Sequence, residues 1–240
     1  MSRPVRYKRV MLKLSGEALK GNHDYGIDFS VVRNLVFEIK KAVELGVELA
    51  LVIGGGNIFR GINTANNIGI DRITGDNMGM LATVINGLAL QKSLESSGIK
   101  SKVVSAIEMN KVTEFFDVEK VEKYFSEKSV VIFVAGTGNP FFSTDTAAAL
   151  RASEIKADVI MKATKVDGVY SADPIKFPNA VFYPELNYER ALNEKLNVMD
   201  LTAISLCMEN KIPILVFNMN KEDNIKKAVS GETVGTVIRG

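Results

Sequence analysis

The chain has 240 residues, 46% of them hydrophobic and 24% charged, with a net charge of +2 and no Trp, enough for one large α/β domain or two small ones with a real core. Its basic residues are scattered, which argues against a nucleic-acid partner, and no run approaches the ~20 apolar residues of a membrane span. A lone Cys207 permits no internal disulfide and suits a reducing, cytoplasmic setting, and a lone His23 leaves little room for a Ser-His-Asp triad, a Cys-His pair or a His-based zinc site.

Lys8 to Leu14 reads as a first strand and runs into Ser15-Gly16. A lysine at Lys13, at the carboxyl end of a strand, places a cation and close-approach amides where α/β proteins bind ligands. Gly21 to Gly26 is a polar loop, and Asp28 or Ser30 can cap the helix that runs to about Leu45, with Gly46 as its terminator. Val47 to Ile53 is a second strand. Gly54-Gly55-Gly56-Asn57 stops it and exposes backbone N–H groups, and Arg60 adds a cation suited to phosphate. The stretch to Gly75 has little periodicity and reads as a flap. Asp76 is placed to cap a helix from Asn77 to Ser97 or to contact a ligand.

Lys102 to Ile107 is a third strand, and Asp117 to Lys128 a short charged helix. The most informative stretch follows, Val130 to Arg151. Val130 to Ala135 is an uninterrupted apolar run of the kind buried on both faces of a parallel sheet. Gly136 and Gly138 bracket Thr137, and Pro140 stiffens the turn. Ser143, Thr144 and Asp145 offer oxygens and cap chemistry at the start of an alanine-rich helix that runs to about Lys156. The free N–H groups of such a helix start form an anion site. A carboxylate at Asp145 repels a bare phosphate, so it makes sense there only beside a lysine or a metal cation.

Asp158 to Ala163 is a fifth strand, ending in Thr164-Lys165 and a turn-rich piece through Tyr170 to Asp173-Pro174. There Asp173 occupies a place comparable to that of Asp145. Val181 to Tyr183 reads as a hairpin strand. Helices are expected at Tyr188 to Leu196 and Met199 to Asn210, then a strand at Pro213 to Asn218, a helix at Glu222 to Ser230 and a last strand at Thr233 to Ile238. Strands alternating with helices predict an α/β three-layer sandwich around a mostly parallel central sheet, with a soft division near residue 160. Cys207, between Leu206 and Met208, is expected to pack in the core.

Cations and backbone donors therefore recur at strand ends: Lys13, Gly54 to Gly56, Arg60, Gly136 to Thr144, and Lys162 or Lys165. Such a set fits a nucleoside polyphosphate with a magnesium ion. Neither GxxxxGK[ST] nor GxGxxG occurs, so the P-loop and dinucleotide-binding fingerprints are missing. If the acceptor oxygen is already ionised, no general base is needed, and catalysis reduces to aligning two anions and cancelling their repulsion.

Six segments carry a resemblance. KLSGEAL (Lys13 to Leu19), VIGGGNIFRG (Val52 to Gly61), GDNMGMLATVINGLAL (Gly75 to Leu90), AGTGNPFFSTDTAA (Ala135 to Ala148), MKATKVDGVYSADP (Met161 to Pro174) and PILVFNMN (Pro213 to Asn220) closely resemble the bacterial uridylate kinases of the amino-acid kinase superfamily. The resemblance implies the amino-acid kinase fold. It also implies one domain over 1–240, with a UMP-binding lobe to about 160 and an ATP-binding lobe from about 161. The implied reaction is ATP + UMP to ADP + UDP, with magnesium carried by ATP.

The implied ATP contacts are Lys13, Leu14, Ser15, Gly16, Gly56, Arg60, Thr164, Tyr170 and Asp173. The implied UMP contacts are Gly55, Asp76, Thr137, Gly138, Asn139, Pro140, Phe141, Phe142, Ser143 and Thr144. Lys13 and Asp145 would form the catalytic centre. The resemblance further implies a cytoplasmic homohexamer inhibited by UTP and activated by GTP, with Gly21, Asn22, His23, Asp24, Tyr25 and Gly26 as the GTP-linked loop. Two other readings share the fold: a sibling kinase acting on a carboxylate, opposed by the Thr137 to Thr144 block, and a non-catalytic binding protein, opposed by Lys13 and Asp145.

Overall fold

The computed structural model describes residues 5–59, 69–196 and 198–240. β1 (Arg9–Leu14) passes through a 3-10 turn at Gly16–Leu19 to α1 (Phe29–Val43), and β2 (Glu48–Ile53) is followed by α2 (Arg72–Ser96). Then come β3 (Ser101–Ser105), β4 (Glu114–Phe115), α3 (Val118–Ser126), β5 (Val130–Val134), α4 (Thr144–Glu154) and β6 (Val159–Thr164). β7 (Val169–Tyr170), β8 (Phe182–Tyr183), β9 (Glu185–Asn187), α5 (Tyr188–Asn193), α6 (Leu201–Glu209), β10 (Ile214–Asn218), α7 (Asn224–Ser230) and β11 (Thr236–Arg239) complete the chain.

The main sheet has the order β4-β3-β5-β2-β1-β6-β10-β11-β9 and is parallel except where β11 runs against β10. β7 and β8 form a separate antiparallel ribbon. The apolar strands read from the sequence lie in the middle of this sheet, where both faces need covering. Side-chain alternation divides their residues between two cores. Val10, Leu12 and Leu14 join Leu35 and Ile39 of α1, Leu90 and Leu94 of α2 and Ile225 of α7 on one side. Met11, Val52 and Phe133 join Phe125 of α3, Ala148 and Ala152 of α4, Ala191 of α5 and Cys207 of α6 on the other. The result is the expected three-layer sandwich. Cys207 is fully buried, and burial pushes its thiol up to about 12, so it packs as a neutral apolar group.

Several boundaries differ from the sequence reading. α2 begins at Arg72, because Asp71 rather than Asp76 is its N-cap, accepting from Thr74 N at 3.0 Å. Of the stretch read as a flap, 60–68 lie outside the described residues and 72–75 are helix. α1 is capped by Asp28, whose carboxylate accepts from the backbone N–H groups of Ser30 and Val31. The two-residue β4 was not expected; it extends the sheet beyond β3 through two register pairs. The last helix begins at Asn224, two residues later than expected, and the last strand at Thr236 rather than Thr233.

Candidate active site

The parallel pairing of β1 with β6 makes Lys13 and Lys162 direct neighbours, flanked in the same row by Val52 and Val216. Both lysines emerge near the carboxyl ends of their strands on the face covered by α4. The small residues Ala148, Ala149 and Ala152 are fully buried, so α4 lies close over β1, β2 and β6. Its first turn brings Asp145 down between the lysines: Lys13 Nζ is 2.7 Å from Oδ1, and Lys162 Nζ donates to Oδ2 at 2.8 Å. Lys162 Nζ also donates to the carbonyl of Val198.

The Asp145 side chain is 13% exposed. Burial pushes its carboxyl up, but attraction to Lys13 and Lys162 outweighs that and holds it below the usual carboxylate range. Lys162 is pulled the other way. Burial, reinforced by Lys13, lowers its ammonium below the usual lysine range against the opposing pull of Asp145. The centre is thus two amines held around one carboxylate, with no histidine or thiol bonded to them among the described residues.

The glycine-rich joints have two different reasons. A Cβ on Gly16 would lie 2.5 Å from Gly54 O, and one on Gly55 would lie 2.6 Å from Gly79 O. These glycines let the loops after β1 and β2 pack on each other and on α2. Among the described residues a Cβ on Gly56 would meet only Glu17 Oε1, at an ordinary 3.6 Å, and Gly56 lines the cavity described below.

A buried amide pair locks the arrangement. Asn57 Nδ2 donates to Asn86 Oδ1 at 3.0 Å, and Asn86 Nδ2 donates to Asn57 Oδ1 and to Gly54 O, both at 2.7 Å. Asn57 also donates to Gly26 O at 2.8 Å and accepts from Gly26 N at 2.7 Å, tying the 21–26 loop to the glycine run.

Beside this centre opens a cavity of about 630 Å³. Of the residues expected at UMP, Gly55, Asp76, Asn139, Phe141, Phe142, Ser143 and Thr144 line it, as does Gly56 from the ATP set. Thr137, Gly138 and Pro140 do not reach its wall; they shape the turn behind it. Thr137 and Asn139 bond each other at 3.2–3.3 Å. Gly138 has φ +81°, and a Cβ there would lie 2.9 Å from Ala106 O.

Ser143 caps α4, accepting from Asp145 N at 3.0 Å and Thr146 N at 3.1 Å. It donates in turn to Asp200, which also accepts from Thr146 Oγ1 at 2.9 Å and caps α6. Asp76, one turn into α2, accepts from Phe141 N at 2.8 Å and from Arg72 Nε at 2.7 Å.

The residues expected at ATP are not all brought together. Lys13 is at the centre. The Leu14 side chain is buried in the core and its carbonyl accepts from Gly54 N at 3.0 Å, while Ser15 opens the 3-10 turn. Tyr170 and Asp173 line a separate cavity of about 330 Å³ with Gly168 and Leu196. Asp173 is exposed in a turn, accepting from Ile175 N at 3.0 Å, so its place is not comparable to that of Asp145. Thr164 ends β6, its hydroxyl donating to Val166 O at 2.8 Å. Arg60 lies outside the described residues. A third cavity, of about 530 Å³, is lined by Gly21 and Asn22 of the 21–26 loop together with Lys165 and Lys221. His23 Nε2 is 3.7 Å from Asp28 Oδ2, Lys20 Nζ donates to Asp24 O at 3.3 Å, and Tyr25 is 80% exposed.

Residues 8–218 match the model of the amino acid kinase family. The chain belongs to the amino acid kinase family. Among curated relatives, this amino acid kinase is 54% identical over 233 residues to the uridylate kinase of Marinobacter nauticus, covering 97% of this chain and 96% of the relative. It is 55% identical over 237 residues to that of Stutzerimonas stutzeri, covering 99% and 96%. Its fold superposes on the crystal structure of UMP kinase from Bacillus anthracis with a TM-score of 0.94, at 37% identity, covering 97% of this chain and 96% of that one. With UMP kinase from Ureaplasma parvum the TM-score is 0.92, at 40% identity, covering 98% and 100%.

Some groups at this kinase's site carried no sequence signal of their own. Lys162 shares with Lys165 the look of a strand-end lysine, and only the register with Lys13 separates them. Asp200 reads as an ordinary helix boundary, Arg72 falls in a stretch without periodicity, and Asn86 is one polar residue inside an apolar helix pattern.

Proposed function

We propose that this amino acid kinase is a uridylate kinase, transferring the γ-phosphoryl group of ATP to UMP to give ADP and UDP. The observation that carries the reading is the placement of the cavity walled by Asp76, Asn139 and Phe141 to Thr144 beside the Lys13–Asp145–Lys162 centre. Full-length identity of about 55% to uridylate kinases supports it. UMP would lie with its base against Phe141 and Phe142 and its ribose hydroxyls at Asp76. Its phosphate would point past Gly55 and Gly56 toward Lys13.

A phosphate oxygen of UMP attacks the γ-phosphorus, the bond from that phosphorus to the β–γ bridging oxygen breaks, and ADP leaves with the electron pair. The attacking oxygen carries no proton at neutral pH, so no base is required. The barrier to overcome is electrostatic. Two unit charges ~4 Å apart repel by about 4 kcal/mol at an effective dielectric near 20. Two ammonium groups around one carboxylate leave a net positive charge, preorganised where the transferring group must pass. Asp145 keeps both amines aimed at the centre.

Magnesium would enter on the ATP phosphates. Among the described residues no three His, Cys, Asp or Glu gather into a metal cage. The ion would be held mainly by phosphate oxygens, with the carboxylates of Asp145 and Asp200 beside them. Bound there, it would neutralise charge on the β- and γ-oxygens.

The finer parts of the proposal are one kinase domain with UMP- and ATP-binding lobes and a cytoplasmic homohexamer. UTP would inhibit, and GTP would activate through Gly21 to Gly26. The bonds from Gly26 to Asn57, and from Asn86 to Gly54, support a link between that loop and the phosphate end of the cavity. No helix among the described residues is long and apolar enough to cross a membrane. A coupled ADP-release assay offering UMP, CMP, acetylglutamate and aspartate tests the reading. Turnover with UMP at least about a hundredfold above the others is expected; turnover with acetylglutamate or aspartate alone, or with no acceptor, would overturn it.

A further inference from the structure

We propose that Arg72 is a positioning residue for the acceptor nucleoside, making the cavity read the ribose through Asp76 and Phe141. The inference rests on the proposed UMP site and deepens it. Three observations converge on this side chain. Arg72 lines the cavity, and its Nε is 2.7 Å from Asp76 Oδ2 one helical turn further on. The same Oδ2 accepts from Phe141 N at 2.8 Å. The guanidinium of Arg72 lies 5.6 Å from the centroid of the Phe141 ring. One cation therefore holds both a carboxylate and an aromatic wall of the same cavity.

Phe141 needs holding. Its φ is +75°, a left-handed conformation unfavourable for a bulky residue, and it is 63% exposed, so packing alone does not fix it. Its backbone is tied to α2 by the bond to Asp76, and its ring is covered by Arg72. Asp76 is fixed by the same contacts. With Oδ2 engaged twice, the carboxylate cannot rotate freely, and Oδ1 accepts no protein hydrogen bond among the described residues. A fixed acceptor oxygen on a cavity wall discriminates strongly between a sugar bearing a hydroxyl and one lacking it. A carboxylate that rotates discriminates less. Arg72 is itself half exposed in its side chain, so replacing it leaves the core untouched.

The test is equilibrium calorimetry of UMP and 2′-deoxy-UMP, without ATP, on the parent protein, Arg72→Gln, Asp76→Asn and the double variant. Initial rates over UMP and ATP concentrations accompany it, and melting curves confirm folding. Expected for Arg72→Gln are UMP affinity about tenfold weaker, a comparable rise in the UMP KM, and kcat and the ATP KM within about twofold of the parent. Its preference for UMP over 2′-deoxy-UMP should fall to that of Asp76→Asn, and the double variant should be no worse than Asp76→Asn alone. An unchanged UMP preference in Arg72→Gln overturns the inference, as does additive loss in the double variant. If the parent binds UMP without preferring it over 2′-deoxy-UMP, the inference fails while the kinase reading stands. If the parent neither binds nor phosphorylates UMP, the kinase reading fails first and takes the inference with it.

Discussion

Replacing Asp145 by Asn removes the only carboxylate in contact with Lys13 and Lys162 among the described residues. The side chains involved are 10–16% exposed, so solvent screens them little. At 2.7 and 2.8 Å each contact carries roughly 6 kcal/mol of gross attraction at an effective dielectric of ~20. Desolvation offsets most of this, and loss of one member of a buried pair costs about 3–5 kcal/mol net. That corresponds to a fall in melting temperature of roughly 6–20 °C for a chain of this size.

The loss is expected to depend on pH. Lys162 already has its ammonium held below the usual lysine range by burial, and without Asp145 it falls further. Between the folded and unfolded values the unfolded chain binds more protons, so the variant gains stability as pH rises and its deficit against the parent narrows. The parent gains an acid limb that the variant lacks. The depressed Asp145 carboxyl contributes stability above its unfolded value and loses it as pH falls through the folded one. Calorimetric melting of both proteins from about pH 2 to pH 10, with kinetics at neutral pH, measures this. Turnover should drop about 10²–10³-fold with the UMP KM little changed. A variant within ~1 kcal/mol of the parent at every pH, or one that keeps full turnover but binds UMP weakly, would refute the reasoning.

Three further outcomes are expected. Asp76→Ala should raise the UMP KM about tenfold with kcat nearly intact, because its work is in binding the ribose; steady-state kinetics with an unchanged UMP dependence would leave it only its contacts with Arg72 and the Phe141 backbone. Asn86→Ala should lower unfolding free energy by about 2–4 kcal/mol in urea titration, since Gly54 O and the Asn57 amide lose buried partners. Gly55→Ala would place a methyl 2.6 Å from Gly79 O and is expected to cost about 1–3 kcal/mol of stability and weaken UMP binding, whereas Gly56→Ala, with an ordinary 3.6 Å contact, should leave stability near that of the parent. Equal melting temperatures for the two glycine variants would contradict the packing account.

Much of the layer order was legible because buried parallel strands announce themselves as apolar runs: Val47 to Ile53 and Val130 to Ala135 needed no tertiary information. Lys13 and Asp145 each stood out as charges out of keeping with their surroundings. What the sequence could not convey was partnership. Lys13 and Lys162 are 149 positions apart and become neighbours only through the β1–β6 register.

Asp76 was read as a cap or a ligand contact, and the cap was open because Asp71 and Asp76 both precede the same apolar pattern, which local chemistry does not rank. Thr74, which donates through both N–H and hydroxyl to Asp71, decides it. Asp173 resembled Asp145 by its place after a strand, yet no helix follows to turn it inward. The run Gly54 to Gly56 looked uniformly ligand-facing, while the clashes that Gly16 and Gly55 avoid come from chain far away in sequence.

The central claim is that the paired lysines and Asp145 lower the barrier by charge alone. Lys13→Met, measured by single-turnover kinetics with both nucleotides saturating and by calorimetric binding of each, tests it most directly. The account predicts that UMP still binds within about threefold of the parent while the rate of phosphoryl transfer falls by about 10²–10³ or more. A transfer rate within tenfold of the parent at saturation would contradict it.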